Sequence, residues 1–281
     1  MYNNFNIGVI GTGYVGSAVK FFFEKYTQVE TFDSIKKCST KSIEELVSKS
    51  DIIFLCLPTP MNKDGSTHID IIKTVLSEIN SFISKNNHKV FVIKSTIPVG
   101  TTDYLIEKYS KLELVFNPEF LREVSFKEDF ANQDRIILGY EKRNELVFNL
   151  YKKYFPNAEI IETKSSNAEM IKYITNTFLA TKVSFANEMK SFCDAKKINY
   201  DDVIKYATKD SRLGSSHWDV PGPDGKNGFG GSCFPKDIVS LINQLSNANI
   251  ESYIIKAVWL RNLNLDRPEK DWEKLVNRAV I

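Results

Sequence analysis

The sequence predicts an α/β fold, a doubly wound parallel sheet followed by an all-α domain built on a long central helix. Three observations predict it. Short apolar runs alternate with helix-period segments as far as Ile161. A glycine-rich turn, Gly11-Thr12-Gly13-Tyr14-Val15-Gly16, joins the first apolar run to the first helical stretch. From Ser166 to residue 196 a single helical period runs without a proline, enough for about 45 Å of helix. A chain of 281 residues can bury cores for two domains, and the change of pattern divides it into residues 1–164 and 165–281.

Phe5–Ile10 is the first expected strand, with a helix from Tyr14 to Tyr26 after it. Gln28–Phe32 is the next strand and stops at Asp33. Ser42-Ile43-Glu44-Glu45 has the pattern of a capping box opening a short helix. Asp51–Leu57 is almost continuously apolar, as a parallel strand buried on both faces should be, and Pro58-Thr59-Pro60 breaks it. An amphipathic helix is expected over Ile69–Ser84, then a strand over Val90–Lys94 that ends at Ser95-Thr96. Residues 101–110 return as helix, and Leu112–Phe116 is a strand leading into Asn117-Pro118-Glu119-Phe120-Leu121-Arg122-Glu123. Arg135–Leu138, a helix near Glu145–Phe155 and Ala158–Ile161 complete the sheet. Beyond the long helix, further helices are expected near 200–209, 235–248, 251–264 and 268–279. Residues 210–232, rich in glycine and proline, have no period, and so long a loop in a compact domain is usually functional or mobile.

Composition narrows the function. A net charge of +2 without a basic block argues against nucleic acid as a partner. Cys38, Cys56, Cys193 and Cys233 have neither metal nor disulfide spacing, and His68, His88 and His217 are scattered, so no metal is expected. No apolar run is long enough to span a bilayer and the chain enters a strand almost at once, which leaves a cytoplasmic enzyme without leader or anchor as the expectation.

The glycine turn lies between strand and helix, with Asp33 about 20 residues on, as the dinucleotide fingerprint requires. Glycines there permit the tight turn and let backbone approach a pyrophosphate at a helix N-terminus. The Asp33 carboxylate would accept from ribose hydroxyls and repel a 2′-phosphate, so NAD is expected over NADP, with Lys36 and Lys37 pulling the other way. The first domain is on this ground Rossmann-like. A second constellation is Gly228-Phe229-Gly230-Gly231-Ser232-Cys233-Phe234-Pro235-Lys236-Asp237. Pro235 suits the first helical position, which would put the Cys233 thiol against unpaired N–H groups, the positive helix end and Lys236. Such a thiol is a candidate nucleophile. Lys172 and Asn176 stand four apart on one face of the long helix and could hold an oxyanion. Glu119 and Glu123 follow a central strand, at the edge where open α/β sheets bind ligands. On the residues alone, an inert cysteine, a solvated lysine and asparagine, and turn glutamates remain the plain alternatives.

Taken together, the stretches CLPTP at 56–60, KSTIPVG at 94–100, NPEFLRE at 117–123, EMIKYITNTFLATKVSFANE at 169–188 and GFGGSCFPKD at 228–237 resemble the UDP-glucose/GDP-mannose dehydrogenase family, most nearly its UDP-glucose branch. The resemblance implies an NAD-dependent, four-electron oxidation of a nucleotide-sugar C6 alcohol to a carboxylate, in a homodimer built on the helical domain. By position, Cys233 would be the nucleophile, Lys172 and Asn176 would stabilise negative charge on oxygen, and Asp237 would assist proton transfer. Glu119 would act in thioester hydrolysis with Thr96 placing the water. Gly11, Gly13, Tyr14, Val15, Gly16, Asp33, Thr59, Thr96 and Glu123 would contact the cofactor. Glu119, Phe120, Leu121, Arg122, Glu123, Lys172, Asn176, Gly230 and Lys236 would contact substrate, and Arg212 would reach the neighbouring subunit's substrate.

Two departures stand out. Relatives normally continue into a second Rossmann-like domain that grips the nucleotide, where this sequence stops after the helix expected around Trp272; and Val124 replaces a usual glycine. The loop Val220–Asn227 is expected to take over part of the nucleotide contact. Two rival readings are a two-electron β-hydroxyacid dehydrogenase, which has no use for Cys233 or Glu119, and a non-catalytic NAD-binding or dimerising remnant.

Overall fold

Three strands, Ile7–Ile10, Ile52–Leu55 and Val90–Ile93, are apolar or glycine at every position because both of their faces are covered. A computed structural model describes residues 5–85 and 87–281. It divides into two compact units, one running through Thr59 and again over Ile69–Lys172, the other comprising Pro60–His68 and Tyr173–Ile281.

The first unit holds a seven-stranded sheet: β1 (Ile7–Ile10), β2 (Val29–Phe32), β3 (Ile52–Leu55), β4 (Val90–Ile93), β5 (Glu113–Phe116), β6 (Arg135–Gly139) and β7 (Glu159–Thr163), in the order β2-β1-β3-β4-β5-β6-β7. Alternate side chains leave opposite faces. Val9, Phe54, Val92 and Val115 enter one buried cluster, while Ile10, Leu55, Ile93 and Phe116 enter another. The first cluster is covered by α1 (Tyr14–Phe23), α5 (Phe126–Ala131) and α6 (Glu145–Tyr154), the second by α2 (Ile43–Lys49), α3 (Asp70–Phe82) and α4 (Thr101–Lys108). Aromatic rings fill the first: Phe22 stacks on Phe155 at 4.4 Å between centroids, and Phe23 on Phe54 at 5.9 Å.

The sheet is not parallel throughout. β6 meets β5 antiparallel at the Phe116–Gly139 pair, and β7 then runs parallel to β6. The connection explains the reversal. Between β5 and β6 the single helix is the six-residue α5, which the sequence patterning did not suggest. At about 9 Å it is too short to carry the chain back along the sheet for a parallel start, and its Phe130 instead packs on Phe22 and Phe23 of α1. The α2 cap also differs in detail: Ser42 Oγ accepts from Glu45 N, but the Glu45 carboxylate reaches Lys41 N rather than its reciprocal partner.

The long helix α7 (Ser165–Ala195) starts in this unit, with Ala168 in the second cluster. A Cβ on Gly139 would stand 2.7 Å from the Ala168 side chain, so a glycine is needed where α7 crosses β6.

In the second unit, α8 (Tyr200–Ala207) follows α7 in the chain, and α7, α9 (Cys233–Asn247) and α10 (Tyr253–Arg261) pack around Ala180, Phe229, Ile238 and Val258. Residues 210–232 contain a short 3₁₀ turn, Ser211–Leu213, and are pinned by side chains rather than loose. The helix expected over 268–279 does not form; a 3₁₀ turn, Asp271–Lys274, stands in its place. Tertiary anchors override the helical period there. Trp272 is buried against Trp259, and Met61 forms backbone bonds with Ala279 and Ile281, drawing the last residues out as a strand-like bridge. The same arm is fixed to α9 by Thr67, whose hydroxyl lies 2.7 Å from Ser240 Oγ.

Phe54→Ala would leave a void between the sheet and α1 and should cost the sheet unit about 3–5 kcal/mol. Denaturant unfolding followed by far-UV circular dichroism measures this; a loss under about 1 kcal/mol would contradict the packing described.

Candidate active site

The first cluster of interest is at the carboxyl end of β1. Gly11 has φ +90°, and a Cβ there would stand 2.4 Å from the Cys56 carbonyl oxygen. A Cβ on Gly16 would lie 1.9 Å from the Gly11 oxygen, so this glycine lets α1 pack on the turn. Gly13 differs: it holds the N-cap position of α1, and a Cβ there would meet nothing within 4 Å. That open space borders the helix N-terminus, where a pyrophosphate finds unpaired N–H donors. The glycines therefore fit a dinucleotide.

Asp33 serves the loop directly. Its Oδ2 accepts from Thr12 N at 2.7 Å and Thr12 Oγ1 at 2.8 Å, and its Oδ1 from Ile35 N and Lys36 N. Burial works to raise this carboxyl, and the bonds from Thr12, Ile35 and Lys36 outweigh it, holding Asp33 below its ordinary range. All four lone-pair positions already have a donor, so a ribose hydroxyl would exchange with one of them. Lys36 Nζ donates to the Thr12 carbonyl at 2.7 Å. Tyr14 and Val15 open α1, and Thr59 is buried beyond the end of β3.

A second cluster follows β4 and β5. Lys94 is buried; its Nζ donates to Asn117 Oδ1 at 2.9 Å and lies 3.7 Å from Glu119 Oε2. Burial pushes the Lys94 ammonium down, with the Glu119 charge opposing. Tyr151 also donates to Asn117 Oδ1, and Asn117 Nδ2 to the Ile137 carbonyl. Glu119 Oε1 accepts from Leu121 N, folding the loop back on itself. Lys172, from α7, donates to the Glu119 carbonyl with its Nζ 5.1 Å from the Phe120 ring centre. Thr96 is half-buried in the loop after β4, whose Ser95 Oγ donates to the Leu57 carbonyl at 2.6 Å. Cys56 lies near this group, and burial raises its thiol to about 12, which makes it inert. Arg122 is turned to its own loop, paired with Asp129 at 2.6 Å, while Glu123 is half-buried.

The third cluster belongs to the second unit. Cys233 is itself the first residue of α9, after Ser232, so Pro235 takes the third helical position rather than the first. The cysteine therefore sits among the unpaired N–H groups of the first turn, not in front of them. One turn on, buried Asp237 accepts from Asn176 Nδ2 and from Lys236 Nζ, both at 2.5 Å. Burial opposes the Lys236 charge, and Asp237 together with Cys233 more than restores it, so its ammonium is raised.

The loop entering Cys233 is held from behind. Asn187 Oδ1 accepts from Gly228 N, and the Asn262 amide takes the Phe229 N–H at 2.8 Å and returns a bond to its carbonyl. Buried Arg267 pairs with Asp224 at 2.5 Å and Asp271 at 2.7 Å and donates to the Asn227 carbonyl. A Cβ on Gly230 would fall 2.6 Å from that guanidinium, so the glycine admits the arginine. Arg212 is exposed and paired only with nearby Asp210 among the described residues.

Sequence reasoning thus missed Lys94, Asn117, Asn187, Asn262 and Arg267. Lys94 carried a signal, a lysine closing a wholly apolar strand. The amides and Arg267 carried none, because most of their partners, side chain or backbone, are distant in sequence.

Residues 29–155 match the NAD binding domain of the UDP-glucose/GDP-mannose dehydrogenase family, and residues 166–264 match its central domain. The chain belongs to this family. Its first unit is accordingly an NAD-binding, Rossmann-like fold. The family match begins at Val29, downstream of the glycine turn, whose geometry supplies the remainder. The chain is 36% identical over 228 residues to a UDP-glucose 6-dehydrogenase of Bacillus subtilis, covering 78% of this chain and 48% of that protein. It thus spans about half the length of the curated relatives it matches. A UDP-glucose dehydrogenase structure from Pyrobaculum islandicum superposes with a TM-score of 0.81 at 28% identity, over 92% of this chain and 68% of that one. A Mycobacterium tuberculosis 3-hydroxyisobutyrate dehydrogenase shares the fold, with a TM-score of 0.71 at 16% identity over 91% of both chains. Among the described residues no helix is long and apolar enough to cross a membrane, and no cluster suits a metal ion.

The two glycines separate cofactor binding from folding. Gly13→Ala should keep its thermal midpoint and weaken NAD binding at least about tenfold, because only the ligand's approach is blocked. Gly16→Ala should lower the midpoint, because its Cβ strikes backbone. Calorimetric titration and thermal melts check both; equal behaviour of the two variants would remove the pyrophosphate from this turn.

Proposed function

We propose that the protein oxidises the C6 hydroxyl of a nucleotide sugar, UDP-glucose in the first instance, to the carboxylate in two NAD-dependent steps through a covalent bond to Cys233. The observation that carries this reading is the start of α9: a cysteine delivered by a clamped glycine loop, with Asp237 one turn on and bonded to both Asn176 and Lys236. A two-electron alcohol dehydrogenase has no use for that cysteine.

Gly11, Gly13 and Gly16 would hold the dinucleotide, and when bound it supplies hydride acceptance, once per oxidation step. Loss of hydride and proton from C6 gives an aldehyde. The Cys233 thiolate adds to its carbonyl carbon, and the oxygen becomes an alkoxide. Asn176 and Lys172 would donate to that oxygen. Asn176 commits one amide hydrogen to Asp237, and Lys172 one of its three to the Glu119 carbonyl, so both keep donors for the alkoxide. Removal of hydride from the adduct leaves a thioester. Water then attacks its carbonyl carbon, the C–S bond breaks, and carboxylate and thiol are released. Glu119, oriented by Leu121 N, would take the proton of that water, with Thr96 placing it and Asp237 returning a proton to sulfur. Glu123 is assigned between cofactor and sugar. Phe120, Leu121, Arg122, Gly230 and Lys236 are assigned to the substrate.

Pairing of two chains through α7 belongs to the same proposal. Phe178, Phe185 and Phe192 are 66%, 51% and 56% exposed and recur every seventh residue, so they form one apolar stripe that a second copy could cover. Arg212, exposed and paired with Asp210, is assigned to the partner's substrate.

With UDP-glucose, two NADH should form per sugar consumed, and Cys233→Ala should abolish carboxylate formation by about a thousandfold or more. One NADH per sugar in both proteins would identify a plain alcohol dehydrogenase instead. Phe185→Glu should shift sedimentation from dimer to monomer; a dimer unchanged by it would move the interface off this stripe.

A further inference from the structure

Two buried ions on the first turns of α7 each grip the backbone of a different loop. Glu169 and Lys172 are three residues apart and so share a helix face. Lys172 donates to the Glu119 carbonyl, in the loop after β5. Glu169, with no exposed surface, accepts from Gly100 N at 2.5 Å, Thr102 N at 2.8 Å and Thr102 Oγ1 at 2.7 Å. Those donors are the N-terminus of α4, at the end of the loop after β4.

A helix is ordinarily capped by its own N-cap side chain. Here that position is Gly100, at φ +86°, which brings no side chain. The cap comes instead from a carboxylate 67 residues along the chain from Thr102. A buried carboxylate is a costly substitute for a serine, and its effect is to tie α4 to α7. The loop in between is short: Ser95 is held to Leu57, Ile97 is buried in the core, and Thr96 lies between the two anchors.

We infer that Glu169 is a positioning residue, which fixes the Thr96 loop from the same helix face that fixes the Glu119 loop through Lys172. α7 thereby sets the spacing of two loops at the carboxyl edge of the sheet. The inference rests on the roles proposed above for Thr96 and Glu119. Ionised Glu169 accepts all three donors in charge-assisted bonds, which protonation weakens. Burial raises this carboxyl to about 7 against the hydrogen bonds from Thr102 and Gly100, and the Asp103 charge on α4 adds to the rise. Lys172 is the neighbouring ion on α7 itself, engaged with the Glu119 carbonyl.

The test follows the Gly100 and Thr102 amide signals by NMR from about pH 5.5 to about 8.5 in the wild type and in Glu169→Gln, together with NAD affinity and steady-state turnover. Both amides should move together near the Glu169 midpoint in the wild type and stay flat in the variant. Near pH 8, Glu169→Gln should lose about tenfold in kcat, with KM for the sugar changed less than about twofold. Thr102→Val, which removes one donor and keeps the backbone, should lose about threefold in the same direction and serves if the first variant does not fold. Amides that ignore pH, or variants with wild-type kcat and wild-type NAD affinity, would overturn the inference. If the wild type turns over no nucleotide sugar, the proposed function fails, and NAD affinity alone decides this point. A loss of about fivefold or more in Glu169→Gln then supports positioning, and no loss rejects it.

Discussion

Sealing the central strands on both faces governs where chemistry can occur in the first unit. Side chains of β1, β3, β4 and β5 are divided between two buried clusters, so a polar group within the strands would have no water and few partners. Polar residues are therefore displaced past the carboxyl ends, where the strand pattern stops. Gly11–Gly16 follows β1, Lys94-Ser95-Thr96 follows β4, and Asn117 and Glu119 follow β5. The same burial that stabilises the sheet thus collects the candidate groups along one edge, in keeping with the general placement of ligands in open α/β folds.

Groups collected there are buried themselves, and each is held by hydrogen bonds rather than by simple ion pairing. Lys94 is satisfied by an amide and a carboxylate, Lys172 by a carbonyl, and Glu169 by the start of a helix. In the second unit, Asp237 is shared by Asn176 and Lys236, and Arg267 by two aspartates and a carbonyl. Leaving any one partner without its counterpart inside the fold costs several kcal/mol, of order 3–5 for a buried pair. Lys172, Glu169 and Arg267 each also grip loop backbone, so the free energy spent on burying charge fixes loop shape. A nucleophile or a water-placing hydroxyl needs that fixity, because misplacement of a reacting group by about 1 Å can cost about a hundredfold in rate.

Glycine has different duties along the chain. Gly16 and Gly139 permit close packing of helix on turn and strand, Gly230 admits a buried guanidinium, and Gly13 alone among these borders open space. A motif written as three glycines therefore contains positions of unlike surroundings, and of the three only Gly13 has nothing within 4 Å of its Cβ position. The cysteine loop shows the converse. Composition makes 210–232 look mobile, yet Arg267, Asn187 and Asn262 hold its later part from three directions.

Hydrophobic period by itself determined the strands, the helices that cover them apart from α5, and the long α7, because burial on both faces or on one stripe writes a repeat into neighbouring residues. Motif, residue type and family resemblance singled out the glycine turn, Cys233, Asp237, Lys172, Asn176 and Glu119 as candidates. Only the tertiary structure decided the reversal of β6, the loss of helix over 268–279, the start of α9 at Cys233 itself, and the buried supports at Lys94, Glu169, Asn187, Asn262 and Arg267. Each of these depends on a partner remote in sequence. Glu169 meets Thr102 at a separation of 67 residues and Arg267 meets Asp224 at 43, and a local pattern carries no record of such a contact.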